Sequence, residues 1–419
     1  MITQLFPKGF KRYLSLPVLG PIIDSYAGWL NEQQYTRRSS RYELRMAAHI
    51  DIFLQDHGFQ RAEDISENDL HGCYRLFRRK FPKEEGSVRV LARFLTEHAL
   101  LKPSAAPELS PKAIHLTAFK GHLENDHGYV SSTIQRQVYI ASKFLDWLNF
   151  EEDHNHLRFV SLTDIEGFIR QEGTRMGRVA LQKVTSVLRN FLRFSAAGGL
   201  IPSGLDQQID TPRVYRQEKL PRALPWATVQ AFLHSINRSI AIGKRDYAMF
   251  SLMTTYGLRA CDIVTLKLED IKWRAKYIQI HQTKTATPLS LPLTNEIGSV
   301  IYAYLKEVPR DSRYRQLFLR LRAPAGPLKS TAVTSAFQTW SQKSGLDIPF
   351  KGAHCLRHSY ALHLLRCGLP LKTIGDILGH KSVESTAAYI RLNTEDLRGV
   401  ALNLPIPHNG QKEGDHESK

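Results

Sequence analysis

Long apolar runs are missing from this chain. Nowhere in its 419 residues does an uninterrupted hydrophobic stretch approach the roughly 18–20 residues that a membrane-spanning helix needs. Cysteine is scarce as well. Cys73, Cys261, Cys355 and Cys367 form no C-x-x-C pair and no evenly spaced framework, so they read as reduced thiols in a cytosolic protein. The opening MITQLFPKGFKRYLSLPVLGPII is interrupted by Pro7, Pro17 and Pro21 and lacks a small-residue cleavage site, which argues against a signal peptide. A cytoplasmic protein without membrane association is expected. Acidic residues are also in deficit, 40 Asp and Glu against 57 Lys and Arg, for a formal net charge of +17. That excess favours a polyanionic partner held through phosphate contacts and counterion release, although charge alone fits an unspecialised basic protein equally well.

What is present suffices for ordinary cores, with 42% hydrophobic residues and length for two or three domains of roughly 100–200 residues each. Two stretches of the N-terminal half are alike: IIDSYAGWLNEQQYTRRSSRYELRMAAHIDIFLQDHGF and HLTAFKGHLENDHGYVSSTIQRQVYIASKFLDWLNF. Tyr26 and Phe119, Leu30 and Leu123, and Tyr35 and Tyr129 correspond, followed by helical spacing to Phe53-Leu54 and Phe144-Leu145, then Phe59 and Phe150. VRVLARFLTEHALL likewise echoes VTSVLRNFLRFSAAGGLI. A duplicated small helical bundle is expected, against the alternative that amphipathic helices of similar length resemble one another by chance. LLKPSAAPELSP (100–111) and the long, polar, Pro-punctuated stretch 201–225 read as linkers. Beyond the second, WATVQAFLHSI and KRDYAMFSLMTTYG have helical periodicity, whereas YIQIHQT and PLSLPL alternate around KTAT as a β-hairpin does. Helical patterning resumes from Thr331 to Tyr389, and the charged HNGQKEGDHESK, with no apolar pattern, is expected to be disordered.

Four segments of the C-terminal half concentrate the residues that bear chemistry. TTYGLRACDIVTLKLEDI presents Arg259 after a Gly-Leu pair, HQTKTATPL sets Lys284 at the hairpin tip, and AHCLRHSYALHLL places His354 and Arg357 at i, i+3 on one helical face. LGHKSVESTAAYI then holds His380 and, nine positions on, Tyr389. A phenol with a pKa of about 10 is a poor nucleophile at neutral pH, so if Tyr389 attacks anything, other groups must supply positive charge and manage protons.

The ordered set resembles the tyrosine recombinase (phage integrase) family of DNA-breaking and rejoining enzymes. The family pattern is an arginine in a G-L-R box, a lysine on a β-hairpin, H-x-x-R, a G-H step and a tyrosine shortly after. It covers roughly residues 215–405, and each element is weak alone but specific in this order. The resemblance implies that Arg259 and Arg357 clamp the non-bridging oxygens of a phosphodiester, which suits an always-charged planar fork. His380 would hydrogen-bond the same phosphate, His354 would accept the tyrosine proton or orient its neighbours, and Lys284 would protonate the departing 5′ oxygen. Tyr389 would form a 3′-phosphotyrosyl bond that conserves the energy of the broken linkage. It implies no cofactor, neither metal nor nucleotide. Gly379 would permit a sharp bend, with Ser382 capping the helix that carries Tyr389.

Blander readings exist for each residue. Arg259 could simply pair with Asp262, and Lys284 could be solvated. His354 and His358 share the i, i+4 spacing of zinc ligands, but the glutamate of H-E-x-x-H is missing and Arg357 would lie beside the dication, so no metal site is expected. Tyr256, Tyr360 and Cys355 read as packing residues, and KEVPRDSRYRQLFLRLR as a solvated basic face. Two departures from the family stand out: Asp262 where glutamate is commoner, and Pro288 after a hairpin that lacks the basic residue often following the lysine.

The expected fold is mainly α with a small β-hairpin or sheet: helical, SAM-like N-terminal DNA-binding domains and a mixed α+β tyrosine-recombinase catalytic domain. The expected boundaries are 1–105 for an N-terminal helical domain duplicating the core-binding fold, 110–205 for the core-binding domain, 215–405 for the catalytic domain and 406–419 for a tail. Arg213, Arg216 and Lys219 in the linker would cross the DNA backbone. The expected partners are double-stranded DNA and, by resemblance, a homo-tetramer on two duplexes, with the apolar Leu397, Val400, Leu402 and Leu404 docking on a neighbouring subunit. The expected function is site-specific recombination for integration, excision or resolution of a mobile element. The alternatives are a type IB-like topoisomerase and a non-catalytic DNA-binding relative.

Overall fold

Helices make up most of the described residues, and alternating burial marks the strand Tyr277–His281. The computed structural model describes residues 1–392 apart from 83, 103–109, 154–155, 216–219, 283–287, 309–310, 312 and 381. Within these residues the chain divides into two units, Met1–Ala27 with Arg41–Glu218, and Gly28–Ser40 with the described residues from 220 onward. Among the described residues no helix is long and apolar enough to cross a membrane.

The first unit is helical. Short α1 (Ile2–Leu5) and α2 (Phe10–Leu14) precede α3 (Ile23–Glu32), α4 (Arg37–Asp56), α5 (Glu67–Lys80) and α6 (Glu85–Glu97). Then follow α7 (Pro111–Asn125), α8 (Ser131–Trp147), α9 (Leu162–Gly173), α10 (Arg178–Ala197) and the single turn α11 (Leu205–Gln208). The last half of α3 and the start of α4 group with the second unit.

The two four-helix sets, α3–α6 and α7–α10, share local chemistry. Helix α5 starts with a capping box in which Ser66 Oγ accepts from the Asp69 N–H and the Asp69 carboxylate accepts from the Ser66 N–H; α9 repeats it with Ser161 and Asp164. Helix α4 closes with Phe59 N–H donating to the Leu54 carbonyl at 3.1 Å, and α8 with Phe150 N–H donating to Leu145 at 3.0 Å. Tyr26 packs on Phe94 with centroids 5.0 Å apart, as Phe119 packs on Phe191 at 5.2 Å. Helices α7–α10 enclose one core built around Phe119, Phe144, Leu145, Leu188 and Phe191.

The second unit is mixed. Helices α12 (Trp226–Ser235), α13 (Ala241–Tyr256) and α14 (Ala260–Thr265) lead into β1 (Ile271–Lys272), β2 (Tyr277–His281) and β3 (Pro288–Pro292), an antiparallel sheet of order β1-β2-β3. The third strand, β1, extends the expected hairpin. Register pairs Ile278 with Leu291 and Ile280 with Leu289, which puts both isoleucines on the buried face. After it come α15 (Asn295–Glu307), α16 (Ser330–Ser344), α17 (His354–Arg366), α18 (Leu371–Leu378) and α19 (Val383–Ala387). Helix α13 is buried almost all round (Ala248 through Thr254), as a central core helix must be. Phe250 on α13, Phe232 on α12 and Phe337 on α16 form a three-ring contact in this core. A smaller cluster of Ala361, Ile374, Leu378 and Tyr389 lies around α17 and α18.

Candidate active site

Two left-handed glycines shape the site. Gly257 ends α13 at φ 63°, and a Cβ there would fall 2.5 Å from Leu378 Cδ2 and 2.9 Å from Tyr360 Cδ1. Gly379 ends α18 at φ 62°, where a Cβ would collide with the Gln282 side-chain amide. Only glycine meets both demands, positive φ and close approach. The two turns bring the G-L-R box and the G-H step against each other.

Arg357 bridges them. Its side chain, 2% exposed on α17, donates from Nη1 to the Gly257 carbonyl and from Nη2 to the Leu378 carbonyl at 2.7 Å. Arg259, at the N-cap of α14, donates from Nη2 to the Gly379 carbonyl at 3.4 Å. Its Nη1 is buried, makes no hydrogen bond among the described residues and lies 3.8 Å from Asp262 Oδ2. Both guanidiniums thus converge on the Leu378–Gly379 turn. Gln282, just beyond β2, adds a third donor there, from Nε2 to the Leu378 carbonyl at 3.4 Å. Burial and the Arg259 charge pull the Arg357 guanidinium down to about 10.

His380 follows Gly379, and its backbone N–H donates to the Gly375 carbonyl at 2.9 Å. Its Nδ1 shares a 2.8 Å hydrogen bond with Thr386 Oγ1. Burial first, and then the charges of Arg357 and Arg259, push this imidazole down to about 4, so it is neutral at physiological pH. Tyr389 lies past the end of α19, with its N–H on the Thr386 carbonyl at 3.0 Å and its ring nearly parallel to that of His380 at 6.5 Å. Its side chain is 3% exposed, and burial raises its pKa while Arg357 and Arg259 oppose the rise.

The expected cap is corrected. Ser382 occupies the N-cap of α19 but makes no side-chain capping bond, and Tyr389 is not on that helix. The backbone turn after Ala387, not a capped helix, delivers the phenol.

His354 opens α17, exposed, with its ring edge-on to His358 at 4.5 Å. His358, considered at first only as half of a zinc-like pair, shares a 2.9 Å hydrogen bond from Nδ1 with the Tyr389 hydroxyl. The sequence signal for it was faint: a second histidine directly after the H-x-x-R arginine. Among the described residues no group of three or more His, Cys, Asp or Glu side chains is placed to hold a metal ion. Lys284, Arg216 and Lys219 lie outside the described residues, as do Leu397, Val400, Leu402, Leu404 and the tail. Arg213 is exposed in the first unit. The packing readings hold for Tyr256, whose hydroxyl donates to the Pro292 carbonyl at 2.6 Å, and for buried Cys355.

Converging guanidiniums, neutral imidazoles and a phenol define a site suited to nucleophilic attack on an anionic ester. The family model for the phage integrase family matches residues 223–396. The chain is 30% identical over 400 residues to the y4rA protein of Sinorhizobium fredii (strain NBRC 101917 / NGR234), which bears the name integrase/recombinase, covering 94% of this chain and 97% of that one. Two solved structures share the fold. The XerH site-specific recombinase bound to a palindromic difH substrate in a post-cleavage complex matches with a TM-score of 0.53, at 18% identity over 73% of this chain and 92% of that one. A lambda integrase tetramer bound to a Holliday junction matches with a TM-score of 0.52, at 17% identity over 72% and 85%. The chain belongs to the phage integrase family of tyrosine recombinases, enzymes of DNA strand transfer.

Proposed function

We propose that this protein is a site-specific recombinase that cuts and rejoins DNA through a 3′-phosphotyrosyl intermediate on Tyr389, serving integration, excision or resolution of a mobile element. The observation that carries the reading is the convergence of Arg357 and Arg259 on the Leu378–Gly379 turn, beside Tyr389, whose ring lies 6.5 Å from that of His380. In this scheme Tyr389 Oη bonds to phosphorus as the P–O5′ bond breaks, the phenol loses its proton, and Lys284 supplies one to the 5′ oxygen. Arg259 and Arg357 hold the non-bridging oxygens, and His380 donates to one of them. Fixed positive donors in a water-poor site stabilise the charge that develops there without reorganising.

The net charge of +17 supports a DNA partner. The lambda integrase tetramer on a Holliday junction supports a homo-tetrameric assembly on two duplexes. We assign residues 110–205 to core binding and 215–405 to catalysis, and take 1–105 as a second copy of the core-binding bundle on the strength of the matched caps and aromatic pairs. Arg213, Arg216 and Lys219 would cross the DNA backbone between them.

The test is covalent trapping on nicked duplexes taken from the DNA flanking the gene. The wild-type protein is expected to form a denaturation-resistant complex that Tyr389→Phe loses. Relaxation of supercoiled DNA without site preference would move the reading to a topoisomerase. Biological activity unchanged by Tyr389→Phe would move it to a non-catalytic DNA-binding protein.

A further inference from the structure

We propose that His358, rather than His354, takes the proton from the Tyr389 hydroxyl as the phenol attacks; this rests on the recombinase reading above. The geometry is direct: His358 Nδ1 lies 2.9 Å from the phenol oxygen, within the range a general base must reach, with ring centroids 5.6 Å apart. His354 stands at the exposed start of α17 and touches His358 edge-on, nearer to water. The arrangement is a relay, with His358 as acceptor and His354 between it and solvent.

The charges around His358 decide when the transfer occurs. His354 and Arg357 face it from its own helix, His380 from the turn after α18, Arg222 from the segment before α12, and Tyr389 from beyond α19. Burial and these positive neighbours hold the imidazole down to about 3, so it is neutral, and in the Nε2–H tautomer, which the transfer requires, Nδ1 is the acceptor. A base that weak does not deprotonate a resting phenol. It becomes competent as the Oη–P bond forms, which makes the phenol oxygen strongly acidic, while the bound phosphodiester brings negative charge beside the imidazole. The Oη–P bond forms, the P–O5′ bond breaks, the phenol proton moves to Nδ1, and the 5′ oxygen is protonated separately. On religation the 5′ hydroxyl attacks, the P–Oη bond breaks and the imidazolium returns its proton to the phenolate.

Single-turnover cleavage of a nicked duplex separates the roles, run on two substrates, one normal and one with sulfur in place of the bridging 5′ oxygen. A thiolate leaves without protonation, so this substrate rescues loss of the general acid but not loss of the base. His358→Gln is expected to lower covalent-complex formation about 100-fold or more on both substrates, with non-covalent DNA binding unchanged. His354→Gln is expected to lose no more than about a tenth of that factor, and Lys284→Ala to recover on the sulfur substrate. If His358→Gln loses its cooperative melting transition, His358→Asn, whose amide can stand in for Nδ1, is measured instead. A His358 variant within about threefold of wild type, rescue of its defect by sulfur, or a larger defect in His354→Gln would each overturn the assignment while leaving the recombinase reading intact. Absence of any Tyr389-dependent complex from the wild-type protein would overturn both.

Discussion

The main cores of the two units and the candidate site bury charge in different ways. In the helical unit the two most buried carboxylates, Asp51 and Glu172, have partners, whereas half-buried Glu43 leaves Oε2 without one and burial raises its pKa. Asp51 accepts from the backbone of Val18 and Leu19 at 3.0 and 2.6 Å and from Gln55 at 2.7 Å, and Glu172 pairs with Lys143 at 2.5 Å. The second unit pairs a buried carboxylate in its structural core, where Asp246 accepts from Arg245 Nε and Nη2 and from the Trp340 indole. The candidate site differs. Arg357 is answered by two carbonyl dipoles, and Arg259 keeps 3.8 Å from its nearest carboxylate oxygen. A buried cation met mainly by dipoles is costly to maintain, and burial together with the neighbouring positive groups depresses the pKa values of Arg357, His358 and His380. The difference separates burial that stabilises a fold from burial that prepares a field for an anion.

Substitution of the buried cations gives the largest expected break between the two. Arg357→Lys keeps the charge but loses the fork, so it cannot satisfy the Gly257 and Leu378 carbonyls together. Single-turnover cleavage is expected to fall by about 100- to 1000-fold, the range for one preorganised donor. Lys143→Arg preserves a compensated pair and should leave cleavage unchanged. Equal losses in both variants would erase the distinction.

Acid sharpens it on a smaller scale. His358 is neutral in the fold down to about 3, whereas in the unfolded chain it protonates below 6.5. Its contribution is therefore fully present above pH 6.5 and is lost as pH falls, at about 1.4 kcal/mol per pH unit. Calorimetry between pH 4.5 and 6.5 is expected to show a flatter acid slope for the C-terminal transition in His358→Gln, by about one proton. The N-terminal transition, whose buried His115 has its own lowered pKa, should not change. An unaltered slope would mean that the fold does not hold His358 neutral.

The smallest effect tests the likeness of the two helical sets. Ser66→Ala and Ser161→Ala remove equivalent capping boxes, and each is expected to cost about 1 kcal/mol in urea unfolding of the first unit. Costs differing by more than that amount would break the equivalence.

The helical character, the hairpin at 277–292 and most of the site were readable from residue types in order, because phosphate chemistry admits few substitutes for arginine and a phenol. The likeness of the two helical stretches was readable because apolar periodicity is local, but their matching capping boxes were not read from it. The Ser382 reading failed because N-cap propensity says where a helix starts, not whether the side chain makes the bond or whether Tyr389 falls inside the helix. The sequence did not decide the place of His358, since i, i+4 spacing to His354 is compatible with a metal pair, a core histidine or a relay.

By itself the sequence determined which groups are available and in what order, since residue chemistry and local periodicity are written one position at a time. Which imidazole meets the phenol, which carbonyls hold Arg357 and why residues 257 and 379 must be glycine were decided only by the tertiary structure. Those facts depend on contacts across 31, 100 and 21 residues of chain and on the approach of Leu378 to Gly257 and of Gln282 to Gly379, and no local rule carries that information.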